Sequence, residues 1–553
     1  MTTTAPRPAE APRAASLAEA ARRLGDEVVA AYEHRPWLLD ATLIAVVTVA
    51  AAVLRLTLIG SIPYGVHSDE AQIGMDARRI MADVWIGPYT HAALGEPTGH
   101  AYLATPFVWL FGSNGFALRL GFGLMGLAAV PLLYLLVRTT FGRVEAFFAS
   151  GLLAVSYWHI FYSRTAHSSS TYPTLVTATL LCVMMGLRAR NRWWFAAGGV
   201  PFGLGVYSYN VYPIAVVALG VFLAIVVGRE LLEDRKSWAW WWRTLAVFGG
   251  VGLLFALPMI EYVSDPGAYY WDHFRNYQEV GVRQSPEYKE ADFFGKVELI
   301  AAQARFFASA YAWEGRPDIV DANGLRPMFD PLTLALLLVG LVLGWGYRRE
   351  PLIIAAYCCF VIIPLPAVLQ RGAIMRQPLG AAPFAMLFAA LPLALVWRGA
   401  LRRDVPWRYV MMGVVAAVAV AITVTTVHDY FWTLRKHPFT REIYFSEMTT
   451  ASAYMRDLPQ DTHVYFYSER ASINLESRQY LAEHAQGTDR SREYSPFAAS
   501  IEDIDRSRPA VFLLMGAYLG LLPDIEARYP GGTAREAIRD GKIEFVAYEL
   551  PPG

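Results

Sequence analysis

The sequence predicts a polytopic α-helical membrane protein of about eleven transmembrane helices, followed by a C-terminal extracytoplasmic α/β domain. Three observations carry this. Of 553 residues, 55% are hydrophobic and 17% charged, more apolar surface than one water-soluble core can cover, so a bilayer has to act as solvent. The apolar residues fall in runs of the length a bilayer demands, roughly 20 per spanning helix. After His428 the chain turns polar, with short apolar runs separated by stretches of helical patterning, the signature of alternating strands and helices.

In chain order, residues 1–36 are rich in Ala, Arg, Pro and Thr and lack the apolar core and cleavage site of a signal peptide. They read as a cytoplasmic tail, with Ser16 to Tyr32 as a short amphipathic helix. Apolar windows then place spans near 38–59, 116–137, 145–160, 173–187, 194–208, 211–228, 244–262, 330–346, 351–369, 378–397 and 409–427. Tyr102 to Phe111 is too short to cross and reads as interfacial. Arg138 and Arg143, then Arg188, Arg190 and Arg192, then Arg229, Arg235, Lys236 and Arg243, then Arg348 and Arg349, then Arg398, Arg402, Arg403 and Arg408 fall in alternate connections. By the positive-inside rule these mark the cytoplasmic side. The long segments 60–115 and 264–329 are then outside, with everything after His428, and the chain is expected in the plasma (cell inner) membrane. Three units follow: the tail 1–36, a membrane catalytic domain 37–427 and an outer α/β domain 428–553. Strands of the last are expected at Thr462 to Tyr467, Ala510 to Met515 and Ile543 to Tyr548, and helices at Glu447 to Met455 and Leu519 to Tyr529.

Composition also excludes. With 48 basic and 48 acidic residues the net charge is zero, so no global field favours nucleic acid. Cys182, Cys358 and Cys359 lie in apolar runs without metal-ligand spacing and read as packing residues. No internal repeat is visible, which weighs against the alternative of a multi-pass transporter or flippase of lipid-linked or small solutes.

Chemistry concentrates just past the first span, where the chain reads Pro63-Tyr64-Gly65-Val66-His67-Ser68-Asp69-Glu70-Ala71-Gln72 and continues as an amphipathic helix to Met81. Asp69 and Gln72 have the spacing of a capping box, a purely structural role. Equally, a carboxylate at a helix N-terminus is kept ionised by the helix dipole and can serve as a general base. This segment resembles the first outer loop of the C-type (GT-C) glycosyltransferases, family 39 and its bacterial relatives, which include protein O-mannosyltransferases and the lipid A aminoarabinose transferase. Phe111 to Leu120, Tyr134 to Gly142, Ser156 to Ile160, Ser163 to Ala166, Gly203 to Tyr209 and Gly324 to Pro331 are also similar, so the resemblance runs from about residue 37 to about residue 400.

The resemblance implies a GT-C fold and transfer of a monosaccharide, with inversion, from a polyprenyl-phosphate donor to a hydroxyl of a protein, lipid or glycan acceptor. It makes Asp69 the base, with Glu70 assisting. Arg371, Arg376, Arg119 and His100 become candidates for the donor phosphate, and His67, Tyr209 and Arg275 for the acceptor or sugar. No cofactor is expected beyond that lipid donor. A divalent metal, used by oligosaccharyltransferases of the same broad fold, finds no ligand spacing here among His67, Asp69, Glu70, His91 and His100. One departure stands out: several relatives carry a second acid in the next outer loop, and His159 to Tyr172 contains none. The expected substitutes are Asp272, Glu279 and Asp321.

Overall fold

The computed structural model describes residues 35–91, 95–279, 281–315, 325–370, 375–491 and 500–553. The amphipathic helix expected at Ser16 to Tyr32, and Asp321 and Arg371, lie outside the described residues. From α1 (Pro36–Leu56) a loop leads to α2 (Ser68–Met81), to a hairpin of β1 (Tyr89–Thr90) and β2 (Glu96–Pro97), and to α3 (Gly99–Phe111). Then come α4 (Gly115–Arg138), α5 (Arg143–Val155), α6 (Tyr157–Ser163), α7 (Tyr172–Ala189), α8 (Arg192–Leu204), α9 (Tyr212–Glu233) and α10 (Trp238–Ser264). Loop helices α11 (Tyr269–Glu279), α12 (Pro286–Glu290) and α13 (Phe293–Ala312) precede α14 (Pro331–Trp345), α15 (Pro351–Ile362), α16 (Leu365–Leu369), α17 (Ala382–Leu401) and α18 (Val405–His428).

Among the described residues, eight helices are long and apolar enough to cross a membrane, and a ninth span arises if α5 and α6 are counted together. The two remaining expected spans fall on shorter helices, α8 of 13 residues and α14 of 15. α8 is shorter than its window because it gives way to a 3₁₀ turn at Gly205–Tyr207, whereas α14, capped by Asp330, fills nearly all of the 330–346 window. The helix α17 is apolar around its circumference and is buried continuously from Ala382 to Leu391, against α5 and α14, as expected of a helix with no polar face.

The segment 145–160, read as one span, is broken. α5 stops at Val155, α6 starts at Tyr157, and the two are bent by 58°. The Ser156 hydroxyl accepts from the His159 N–H, which starts a new helix. The carbonyls left open on α5 are taken by Arg55, whose guanidinium donates to Leu153 and Ala154 at 2.9 and 2.8 Å. Arg164 in turn donates to Leu54 and Arg55 at the end of α1, at 2.9 Å each. Both guanidiniums are fully buried. Cations here meet the partial negative charge of helix C-termini, which makes them tolerable in an apolar core.

Beyond α18 lie α19 (Pro438–Ile443), α20 (Ser446–Arg456), β3 (His463–Tyr467), α21 (Glu476–Leu481), β4 (Gln486–Asp489), β5 (Ala510–Leu514), α22 (Leu522–Arg528), β6 (Thr533–Arg539) and β7 (Lys542–Leu550). They form a mixed five-stranded sheet in the order β4-β3-β5-β7-β6, with β3 parallel to β4 and β5, and β7 antiparallel to its neighbours. This α/β domain is bolted to the loop before α2. Thr449 Oγ1 accepts from the Val66 N–H at 3.0 Å, Ser477 Oγ donates to the Val66 carbonyl at 2.7 Å, and the Arg539 guanidinium lies over the Tyr64 ring. Gly74 of α2 packs face-on against the Tyr480 ring, where an added Cβ would come within 2.3 Å of a ring carbon. The domain thus acts as a wall for α2.

Candidate active site

The helix α2 starts two residues earlier than a capping box on Asp69 requires. Its N-cap is His67, whose Nδ1 accepts from the Asp69 N–H at 3.1 Å, while Glu70 Oε2 accepts from the His67 N–H at 3.1 Å. The expected Asp69/Gln72 box is therefore a His67/Glu70 box, and the difference separates the two acids. Glu70 turns inward. It makes a bidentate pair with Arg119, at 2.8 Å (Nε to Oε1) and 2.6 Å (Nη2 to Oε2), and also accepts from the Ala166 N–H at 2.8 Å. Arg119 is fully buried and uses its remaining donors on the carbonyls of Pro63 (2.7 Å) and Gly65 (2.6 Å). Bidentate guanidinium–carboxylate geometry is among the strongest charge-assisted arrangements. Gly65 itself has φ +102° and a Cβ there would meet the Tyr444 carbonyl, so only glycine presents this carbonyl to Arg119. Arg119, a phosphate candidate by sequence, is thus engaged in pinning the loop, and Glu70 with it.

Asp69 points the other way and keeps 28% of its side chain exposed, 3.7 Å from His67 Nδ1. Partial burial pushes its carboxyl pKa up; His67 and Arg376 pull it down and Glu96 and Glu70 push it up further, with a net rise. Those neighbours define a site that the sequence did not assemble. Glu96, on β2, is buried with His100 of the first turn of α3, Nε2 to Oε1 3.1 Å. Arg376 reaches the site from the segment before α17, held by Trp158 Nε1 donating to the Met375 carbonyl at 2.9 Å. An Arg376 guanidinium nitrogen lies 3.2 Å from His167 Nε2. On the other side of the ring, His167 Nδ1 accepts from the Ser169 N–H at 3.2 Å and lies 2.9 Å from Ser169 Oγ. Burial first, and then the positive charge of Arg376, hold the His167 pKa well below its ordinary value, so this imidazole is neutral.

The connection between α6 and α7 contributes a neutral histidine, and a further acid acting on Asp69 is Glu96 of the β1–β2 hairpin, four residues before His100. That Glu-x-x-x-His spacing was the available signal. Of the three expected substitutes, Asp272 is ion-paired with Arg275 on the exposed face of α11, Asp321 lies outside the described residues, and so does the Glu279 side chain. Tyr209 packs edge-on to His167, ring centres 6.1 Å apart, and borders a cavity of about 670 Å³ that Ile214, His273, Arg283, Leu365 and Gln370 also line. Asn210 ties that cavity to the hairpin, donating to the Gly95 carbonyl at 2.8 Å and accepting from the Tyr89 hydroxyl at 3.1 Å. Arg275 is not among the residues lining it. Among the described residues no three His, Cys, Asp or Glu side chains are grouped to hold a metal ion.

The arrangement offers a partly exposed carboxylate able to take a proton and, within electrostatic reach of it, a buried cation flanked by a neutral histidine. A base must be ionised to act. With the Asp69 pKa raised, activity is expected to fall on acidification at a pH above the ordinary aspartate range near 4. A log(kcat/KM) profile measured against pH checks this; an acid limb at or below pH 4 contradicts it.

Comparison with known proteins gives a consistent result. The dolichyl-phosphate-mannose-protein mannosyltransferase family matches residues 95–261, a stretch that includes Glu96, His100, Arg119, His167 and Tyr209. The chain is similar in structure to ArnT from Cupriavidus metallidurans bound to undecaprenyl phosphate, at TM-score 0.55 and 14% identity over 93% of this chain and 98% of that one. It is also similar to the oligosaccharyltransferase of Archaeoglobus fulgidus in the apo form (TM-score 0.52, 14% identity, 93% and 75% coverage). The same archaeal enzyme, AglB, in complex with an inhibitory peptide and a dolichol-phosphate gives 0.51, at 14% identity and 93% and 74% coverage. No curated protein sequence matches the chain.

Proposed function

We propose that the chain is a membrane glycosyltransferase of the GT-C superfamily and that it moves a monosaccharide from a polyprenyl-phosphate donor to an acceptor hydroxyl at the extracytoplasmic face of the plasma membrane, with inversion at the anomeric carbon. The observation that carries this reading is the division of labour in the acidic pair: Glu70 is locked to Arg119 while Asp69 stays partly exposed near Arg376. Asp69 takes the acceptor proton as the oxygen attacks the face of the sugar remote from phosphate. Arg376 stabilises the charge that grows on the leaving phosphate, and His167, held neutral beside it, adds no competing positive charge. Glu96 and His100 line the same site and orient the sugar. The cavity of about 670 Å³ beside Tyr209, apolar except for a few polar side chains, suits the first units of a prenyl chain with its phosphate at the polar end.

Donor lipids with a phosphate head are consistent with the undecaprenyl phosphate and dolichol-phosphate named for ArnT and AglB. The test is incubation of purified protein with a panel of radiolabelled polyprenyl-phosphate hexoses and pentoses, reading label transfer or slow hydrolysis. Wild-type protein is expected to cleave at least one donor, and Arg376→Gln to lower kcat about 100-fold, the loss typical of one removed electrostatic stabiliser. Arg376→Gln with kcat within twofold of wild type sinks the assignment of Arg376, and a panel untouched by the wild type sinks the reaction.

A further inference from the structure

We propose that the groove between α2 and the α/β domain is a binding site for an oligosaccharide acceptor, and that Asp76 is its specificity-determining carboxylate. This rests on the sugar-transfer reading above. A cavity of about 700 Å³ runs between α2 and α21, bridged by Gln72 Nε2 to Glu476 Oε1 at 3.2 Å and by Arg78 Nη2 to Glu483 Oε1 at 2.8 Å. Asp76 lines it and is 5% exposed. Its Oδ1 receives Arg79 Nη1 at 3.1 Å, while Oδ2 is buried without a hydrogen-bond partner. A buried carboxylate oxygen left without a donor is costly, and Oδ2 is free to take a donor that the protein itself does not supply.

The placement says what that donor belongs to. Asp69, Gln72 and Asp76 recur at i, i+3 and i+7, one stripe of α2. The rise along the helix from Asp69 to Asp76 is about 10 Å, the span of two sugar units, so a chain seated on Asp76 presents its next units at the proposed base. The groove offers both signs in alternation, Asp76, Glu476 and Glu483 with Arg78 and Arg79. Neither an anionic nor a cationic ligand is favoured by that mixture. Sugar hydroxyls, each donor and acceptor at once, are: one hydroxyl of a vicinal pair donates to Asp76 Oδ2 while its neighbour accepts from Arg79.

The experiment uses the full-length protein with the donor it cleaves and two kinds of acceptor: neutral hexasaccharides from mannan, arabinan and glucan, and a Ser/Thr-rich peptide. At least one hexasaccharide is expected to be glycosylated. Asp76→Asn is expected to raise its KM about tenfold, the loss of one hydrogen bond to a charged group, with kcat changed less than twofold. Glu483→Gln, at an exposed position with little consequence for folding, is expected to raise KM about threefold. Transfer to the peptide alone overturns the proposal, as does a hexasaccharide KM unmoved in both variants. Wild-type cleavage of the donor with water as acceptor reports on the underlying reaction separately: its absence removes that reading, and its presence with an unmoved KM removes the groove alone.

Discussion

Asp69→Asn is expected to lower kcat about 1,000-fold, within the range that a positioned general base contributes, while the protein folds and unfolds at the wild-type temperature. The two halves of this expectation come from the same geometry. Among the described residues Asp69 makes no ion pair shorter than its 3.7 Å approach to His67, and the N-cap of α2 is supplied by His67 and Glu70. The amide therefore removes the proton acceptor and leaves the helix intact. Steady-state turnover with the accepted donor, alongside thermal unfolding in detergent, measures both. A variant that keeps kcat within tenfold of wild type, or that loses turnover only because it unfolds, contradicts the assignment.

Its neighbour is expected to fail in the opposite way. Glu70→Ala leaves Arg119 fully buried without its carboxylate, and breaking a buried pair by removing one partner costs about 3–5 kcal/mol. Such a loss exceeds half the stability of many domains. Glu70→Ala also frees the Ala166 N–H, and Arg119→Ala the carbonyls of Pro63 and Gly65, so in either variant the first and second loops lose part of their mutual anchor. Glu70→Ala and Arg119→Ala are thus expected to lower folded yield and unfolding temperature sharply. The paired substitution Glu70→Leu with Arg119→Met, which removes both charges, is expected to recover part of the stability. Size-exclusion yield and thermal unfolding read this out. Full stability with selective loss of kcat in Glu70→Ala would instead make Glu70 a second catalytic carboxylate.

How legible this was in the sequence depended on whether a feature is written locally. The long apolar helices were, because a bilayer imposes length and hydropathy on each span by itself. The break at Ser156 was not: it depends on Arg55, about a hundred residues away, accepting the role of capping Leu153 and Ala154. In the α/β domain, the buried strands β3, β5 and β7 were readable as apolar runs. The polar β4, Gln486–Asp489, and the largely exposed β6, Thr533–Arg539, carry no such run, since edge strands need only one partner and are kept polar against association. At the site, Asp69-Glu70 marked the place but not the roles, which a two-residue shift of the N-cap decides. Arg376 was named by sequence, whereas its contact with His167 joins positions more than two hundred residues apart. Glu96 stood in plain view beside His100 and gained meaning only when the β1–β2 hairpin folded it toward Asp69.

The measurement closest to the central claim is the anomeric configuration of the product formed by purified wild-type protein from the donor it accepts, read by NMR before mutarotation. An acceptor oxygen activated by Asp69 attacks from the face opposite the phosphate in one displacement, so the product is expected to be inverted relative to the donor. Retention of configuration would require a covalent glycosyl-enzyme or a same-face attack, and Asp69 would then not be acting as the base.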